Sequence, residues 1–202
     1  MSVPTVFVVD DDEAMRESLL WLLTSVGLPT TGYSSAEAFL AADHPERCGC
    51  LVLDVRMPGM SGLELQERLA AQGTPLPIII VTGHGDIPMA VRAMKAGAVD
   101  FLEKPFNNQQ LLERITAALR SDAAAQAERR QRKDLRERLA SLSPREREVA
   151  QLVAAGKQNK VIAFDLGISQ KTVEVHRHHV MEKMKAQTAA ELGRMLEKIG
   201  ED

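Results

Sequence analysis

The chain has 202 residues, a net charge of −3, 45% hydrophobic and 26% charged residues, enough for one large domain or two small ones with a real core. Its two cysteines, Cys48 and Cys50, flank Gly49, which excludes a disulfide framework and a zinc pattern and leaves them as buried or incidental thiols. The start carries no signal-peptide pattern and no apolar run approaches ~18 residues, so a cytoplasmic protein without membrane contact is expected.

The charge is uneven. Residues 1–120 hold 9 Lys and Arg against 15 Asp and Glu, a net of −6; residues 121–202 hold 16 against 13, a net of +3. An acidic front and a mildly basic back suggest two domains with different partners.

In chain order, "TVFVV" (5–9) is a short β-branched run. "EAMRESLLWLLTSVG" follows with Met15, Leu19, Leu22, Leu23 and Val26 at helical spacing and Gly27 as a stop. "PTTGY" is a weak edge strand, and "SSAEAFLAA" a helix with a Ser cap. "CLVLD" (50–54) is a buried strand, and "SGLELQERLAAQG" an amphipathic helix ending at Gly73. "LPIIIVT" (76–82) is a strand, "IPMAVRAMKAG" a helix, "AVDFL" a strand and "NNQQLLERITAALR" a helix. Five such βα units predict an α/β domain, a doubly wound parallel sheet covered by helices on both faces.

The composition changes near 121. "SDAAAQAERRQRKDLRERLASL" is polar and rich in helix formers, which suits a solvated connecting helix or a tether. Leu135, Leu139 and Leu142 fall on one face of it. The expected division is 1–120, a linker at 121–142, and an all-α domain of four helices at 143–202. In the last, Ser143 caps "PREREVAQLVAAG" with Pro144 at the first helical position and Glu146 three residues after the cap. "NKVIAFDLG", "SQKTVEVHRHHVMEKMK" and "TAAELGRMLEKIG" complete it. "DLGIS" (165–169) between two short helices looks like a helix-turn-helix.

The strand ends carry the chemistry. Asp10, Asp11 and Asp12 follow strand 1, Asp54 ends strand 3, Thr82 ends strand 4, and Lys104 follows strand 5. Ligands of such sheets sit at the carboxyl edge. Adjacent carboxylates at about 4 Å repel by ~1 kcal/mol in water and ~4 at a protein-like dielectric. The run 10–12 is therefore either a solvated helix start or part of a cation site. Clustered carboxylates without cysteine suit Mg²⁺. An accessible Asp54 carboxylate beside such a cation can accept a phosphoryl group. Thr82 Oγ could then hydrogen-bond that group, and Lys104 could offset its charge.

"VVDDDE", "VLDVRMPGMSGLEL" and "VTGHGDIPMAVRAMKAGAVDFLEKPF" together resemble the receiver domain of two-component response regulators. "LSPREREVAQLVAAGKQNKVIAFDLGISQKTVEVHRHHVMEKM" resembles the LuxR/NarL-type helix-turn-helix output domain, and the whole chain is similar to the FixJ subfamily. The resemblance implies a flavodoxin-like (βα)5 receiver and a transcription regulator rather than an enzyme. A partner histidine kinase would phosphorylate Asp54. Asp10 and Asp11 would be the acidic pair, with Asp11, Asp54 and the backbone carbonyl of Arg56 on Mg²⁺. Asp12 would be a helix cap. Thr82 and Phe101 would be the switch pair, Lys104 the phosphate-binding lysine, and Lys104–Pro105 a cis bond. Phosphorylation would draw in the Thr82 hydroxyl, turn Phe101 inward, and repack the face built by the helix at 86–96, the strand at 99–102 and the helix at 108–120. Homodimerisation and promoter binding would follow, with RNA polymerase as a further partner.

For the third helix of the output domain, the resemblance places Glu174, Val175 and His178 at base-reading positions. Lys160, Thr172, His176, Arg177 and Lys183 would meet phosphates, and Lys171 shares the polar face with His178. Two other readings compete. A phosphohydrolase using Asp54 would want a second acid two residues on, where Arg56 stands. An adaptor without DNA contact would show no salt-dependent DNA binding.

Overall fold

A computed structural model describes residues 3–42, 48–74, 76–83 and 87–200. The chain divides into two compact units, 1–126 and 127–202.

The first unit is built on a five-stranded parallel sheet of order β2-β1-β3-β4-β5, with β1 Thr5–Val9, β2 Thr30–Tyr33, β3 Gly49–Asp54, β4 Ile78–Thr82 and β5 Asp100–Glu103. Alternate residues of each central strand feed two cores. Phe7, Val9, Leu51, Leu53, Ile78 and Ile80 pack with Phe39 of α2 (Ala36–Ala41), Leu65 and Leu69 of α3 (Gly62–Ala71) and Ala93 of α4 (Ile87–Lys95). Val6, Val8, Cys50, Val52, Ile79 and Val81 pack with Leu19 and Leu23 of α1 (Glu13–Ser25) and with Leu111 and Ile115 of α5 (Asn108–Ala140). Both faces are dry, which is why these strands read as unbroken apolar runs. The weakly patterned "TTGY" is the β2 edge. Cys48 and Cys50 are buried, and burial pushes the Cys50 thiol up to about 12.

Helix starts follow local chemistry. Asp12, Ser35 and Ser61 cap α1, α2 and α3 by accepting the N–H three residues on, and Ser61 forms a full capping box with Glu64. Gly27 and Gly73 follow α1 and α3 with positive φ.

α5 runs on as one helix to Ala140, through most of the stretch expected to be a linker. Two observations explain why that stretch is not merely solvated. Asp122 is buried, and its Oδ2 accepts the Gly49 N–H at 2.7 Å and the Gln126 side-chain N–H at 2.7 Å. Farther along, Leu135 is buried, and the side chains of Leu139 and Leu142 join the core of the second unit. Arg138 also donates to the Met184 carbonyl at 3.2 Å, and Lys198 to the side-chain carbonyl of Gln131 at 2.7 Å.

The rest of the second unit is helical: α6 Pro144–Ala154, α7 Asn159–Leu166, α8 Gln170–Met184 and α9 Ala189–Gly200. Val149, Val153, Ile162, Ala163, Val173, Val180, Met184 and Leu192 form its core. Gly167 ends α7 in the left-handed region at φ 64°, and Ser169 caps α8 two residues later. That pair of signals makes the turn of the helix-turn-helix.

Candidate functional site

The strand register brings the candidate residues of the first unit to one edge. Val9 pairs with Leu53, Asp54 with Val81, and Thr82 with Glu103, so Asp10, Asp54, Thr82 and Lys104 lie together at the carboxyl end of the sheet. This edge is also where the chain order reverses about β1, the usual place for a ligand crevice. Gly62 starts α3 so close to β3 that a Cβ there would lie 2.1 Å from the Asp54 carbonyl oxygen. The "PGMSG" loop therefore turns directly behind Asp54, which a larger residue at 62 would prevent.

Asp10 and Asp54 are 3% and 6% exposed, and Thr82 is fully buried. Lys104 Nζ donates to Asp10 Oδ2 at 2.8 Å and to Asp54 Oδ1 at 3.0 Å. The second oxygens are held locally: Asp12 N–H on Asp10 Oδ1 at 3.0 Å and Arg56 N–H on Asp54 Oδ2 at 2.7 Å. Burial raises the Asp54 carboxyl above its ordinary range; the Lys104 ammonium opposes that rise and the Asp10 charge adds to it. Burial pulls the Lys104 ammonium down, but its hydrogen bonds to Asp10 and then Asp54 outweigh this and hold it above the usual lysine value. The site is thus a desolvated pair of carboxylates sharing one cation.

Asp11 is exposed and Asp12 takes the cap of α1, its Oδ1 accepting the Met15 N–H at 3.1 Å. The three adjacent aspartates therefore differ in role. Phe101 is half-buried against the α2–α3–α4 core together with Met89. The Lys104–Pro105 bond is cis. Among the described residues no three His, Cys, Asp or Glu side chains gather closely enough to hold a metal ion. The donor chemistry nevertheless fits a hard divalent cation: Asp10 and Asp54 offer only oxygen, and a second positive charge would relieve the desolvation that raises Asp54.

In the second unit, Val173, Val180 and Met184 turn the apolar side of α8 into the core, and α7 meets it through Ile162, Ala163 and Leu166. The opposite side is open: Lys171, Thr172, Glu174, Val175 and His178 are exposed, as is Lys160 on α7. His176 and Arg177 are half-buried, and Arg177 Nη1 donates to the Asn159 side-chain carbonyl at 3.0 Å. Thr172 pairs its hydroxyl with the Ser169 cap at 2.8 Å.

Lys183 is placed differently from its neighbours. Its ammonium sits 2.6 Å from Oε2 of Glu146, a carboxylate buried in the first turn of α6. Sequence reasoning missed Glu146 as anything beyond a capping-box acid, and missed its neighbour Arg145, whose guanidinium donates to the Leu166 carbonyl at the end of α7. Nor did sequence reasoning single out Arg16, which donates to the Asp10 carbonyl at 2.8 Å, or Glu37, whose carboxylate accepts the Met60 N–H at 2.9 Å in the loop behind Asp54. Each is an ordinary polar residue on a helix surface in the sequence, and its partner lies on another element.

Two buried carboxylates, a buried hydroxyl and a lysine at this sheet edge, followed by a helix-turn-helix, match the response-regulator class. The pattern described as "Response regulator receiver domain" matches residues 6–116, and that of "Bacterial regulatory proteins, luxR family" matches residues 140–196. The chain is 52% identical over 190 residues to the transcriptional regulatory protein FixJ of Azorhizobium caulinodans, covering 94% of this chain and 90% of that one. It is 50% identical to nodulation protein W of Bradyrhizobium diazoefficiens, covering 96% and 86% respectively. Among solved structures, that of the response regulator StyR aligns with a TM-score of 0.92 at 49% identity, over 98% of this chain and all of that one. The chain belongs to the FixJ-like response regulators, transcription regulators with a receiver and a LuxR-type DNA-binding domain that act through phosphorylation. No helix among the described residues is long and apolar enough to cross a membrane.

Proposed function

We propose that Asp54 is the phosphoacceptor, and that a sensor histidine kinase supplies the phosphoryl group. The observation that carries this reading is the Lys104 ammonium held between Asp10 and Asp54 at 2.8 and 3.0 Å. In the transfer, an Asp54 carboxylate oxygen forms a bond to phosphorus as the phosphorus–nitrogen bond of the donor phosphohistidine breaks. Lys104 offsets charge on the incoming group while Asp10 keeps that ammonium in place. Asp10, Asp11, Asp54 and the Arg56 carbonyl would hold Mg²⁺, which supplies electrostatic neutralisation of the phosphoryl oxygens when bound.

The response is a two-state repacking. Thr82 is buried at the edge where the new phosphoryl oxygens would arrive, and Phe101 lies two residues before the strand end that leads to Lys104. A hydroxyl drawn toward the phosphoryl group leaves room for the Phe101 ring, and α4 and β5 readjust around it. Ile87, Val91, Met94 and Val99 expose apolar surface on α4 and just before β5, which suits homodimerisation of the phosphorylated form.

The output domain then binds promoter DNA through α8, with Glu174, Val175 and His178 toward the bases. Lys160, Lys171, Thr172, His176 and Arg177 point to phosphates, and Lys183 contributes mainly by fixing α8 to α6. RNA polymerase is the downstream partner and the cytoplasm the place of action. Binding rather than turnover is the activity, since Arg56 occupies the position where a phosphohydrolase would carry its second acid.

The test is incubation with a small-molecule phosphodonor with and without Mg²⁺, followed by selection of bound DNA from random fragments. Wild-type protein gains a Mg²⁺-dependent acyl phosphate and tighter DNA binding, and Asp54→Asn gains neither. An Asp54→Asn protein that dimerised and bound DNA like the phosphorylated wild type would refute the assignment.

A further inference from the structure

Asp10 is fixed at every polar atom. Its N–H donates to the Tyr33 carbonyl of β2 at 3.2 Å, its Oδ1 accepts the Asp12 N–H, and its Oδ2 accepts from Lys104. Its carbonyl, just past the end of β1, accepts from Arg16 Nη1 at 2.8 Å. A buried carbonyl that has left the strand ladder needs a partner. Here the partner is a permanently charged fork from the first full turn of α1 rather than another strand.

The neighbouring strand shows how Arg16 gets there. Gly32 lies inside β2, where a glycine weakens a strand and where its φ is not in the left-handed region. The explanation is space. A Cβ at 32 would stand 2.8 Å from Leu20 Cδ1 and 3.4 Å from both Arg16 Cγ and Cδ. Gly32 therefore clears the path by which the Arg16 stem and its neighbour Leu20 cross the edge of the sheet.

We propose that Arg16 is a positioning residue for phosphoryl transfer: it holds the β1–α1 turn so that the Asp10 carboxylate, and Asp11 after it, present their oxygens to the cation and to Lys104. This inference rests on the acidic-pair reading of Asp10 and Asp11. Arg16 is itself a cation beside a cation site, and that gives the inference a distinctive sign. If Arg16 acted only through its charge, removing it would tighten Mg²⁺ binding, because a like charge disappears. If Arg16 positions the pair, removing it weakens Mg²⁺ binding despite the lost repulsion.

The experiment measures Mg²⁺ affinity of the unphosphorylated full chain by calorimetry. The Mg²⁺ half-saturation of phosphorylation by a small phosphodonor and the thermal transition are measured on the same samples. Arg16→Met keeps the aliphatic stem and removes the donors. It weakens Mg²⁺ binding about tenfold, the order expected for a charged hydrogen bond, while the maximal rate at saturating Mg²⁺ falls less. Arg16→Lys recovers part of the affinity. Gly32→Val, which crowds the stem without touching the donors, weakens Mg²⁺ binding severalfold, and its effect is not additive with that of Arg16→Met. Should Arg16→Met fail to fold, the Gly32→Val measurement carries the test. Unchanged or tighter Mg²⁺ binding in Arg16→Met, or full additivity with Gly32→Val, overturns the proposal. A wild-type protein without Mg²⁺-dependent phosphorylation would instead overturn the reading on which it rests.

Discussion

Glu146 Oε2 and Lys183 Nζ stand 2.6 Å apart and join the first turn of α6 to the last turn of α8, the second helix of the helix-turn-helix. The same carboxylate completes the α6 capping box by accepting the Ser143 N–H at 2.8 Å, so one buried acid both starts a helix and anchors another. The Lys183 hydrogen bond first, and the Ser143 N–H second, depress the Glu146 carboxyl from 4.5 to about 2. Its folded value lies below its unfolded one, so its stabilisation is full above about 4.5 and is lost as the pH falls toward about 2. Lys183→Met should destabilise the output domain by about 1–3 kcal/mol, the cost of leaving a charged acceptor without its donor. Thermal melts at pH 7 and in that acid window check both statements, and in Lys183→Met the acid dependence shrinks.

The Asp10–Asp54–Lys104 cluster makes the opposite pH prediction. Burial raises Asp54, so ionising it opposes folding. The stability it confers falls as the pH rises from the ordinary aspartate range through the raised value, then levels off. Asp54→Asn should therefore abolish phosphorylation yet leave the receiver at least as stable as wild type at neutral pH, with that slope removed. Lys104→Met does the reverse: it leaves two buried carboxylates facing each other without their shared cation and lowers the receiver's melting temperature. Parallel melts of the three proteins between pH 4 and 8 distinguish these outcomes.

How far the sequence could be read depends on the range of the interaction. β1 spans Thr5–Val9 as expected, and the stop at Gly27, the caps at Ser35, Ser143 and Ser169, and the turn at Gly167 all follow from residues within a few positions of each other. The meeting of Asp10, Asp54, Thr82 and Lys104 was legible for a related reason: in a parallel sheet, residues that end successive strands must meet at one edge. Arg16, Glu37 and Arg145 were not legible, because each grips a backbone atom on a different element, and that pairing exists only once the chain has folded. The continuation of α5 was half legible. Leu135, Leu139 and Leu142 announced an apolar face, but the polar majority around them outweighed it, and Asp122 gave no local sign of its buried partner at Gly49.

That continuation yields a direct test. Leu135 is 4% exposed and lies within the second unit, while Asp122 is buried in the first. In the full chain, Leu135→Ala should destabilise the output domain by about 2–4 kcal/mol through lost burial and a residual cavity. Asp122→Ala should destabilise the receiver and leave the output domain's transition in place. Hydrogen exchange of the two domains separates the effects: faster exchange in α8 and α9 for the first variant, and in β1 and β3 for the second. Equal, weak effects in both domains would return residues 121–142 to the role of a solvated linker.

The exposed side of α8 divides by chemistry. Val175 is 49% exposed in the first half of the helix, which suits contact with a thymine methyl, and Glu174 beside it can accept from a cytosine amino group. Val175→Ala and Glu174→Gln should change which bases are selected at one or two positions of the half-site, each by about 1–3 kcal/mol of discrimination. Lys171 and Lys160 are exposed point charges that suit phosphates. Lys171→Gln should weaken binding to all sequences alike and reduce the slope of log affinity against log salt by about 1. Lys183, held by Glu146, should differ: its loss lowers affinity by loosening α8, with the salt slope changed much less than in Lys171→Gln. Salt titrations on one fixed operator, together with base-by-base selection, place each residue in one group or the other. A full unit of slope lost in Lys183→Met would mean that its ammonium leaves Glu146 for the DNA backbone.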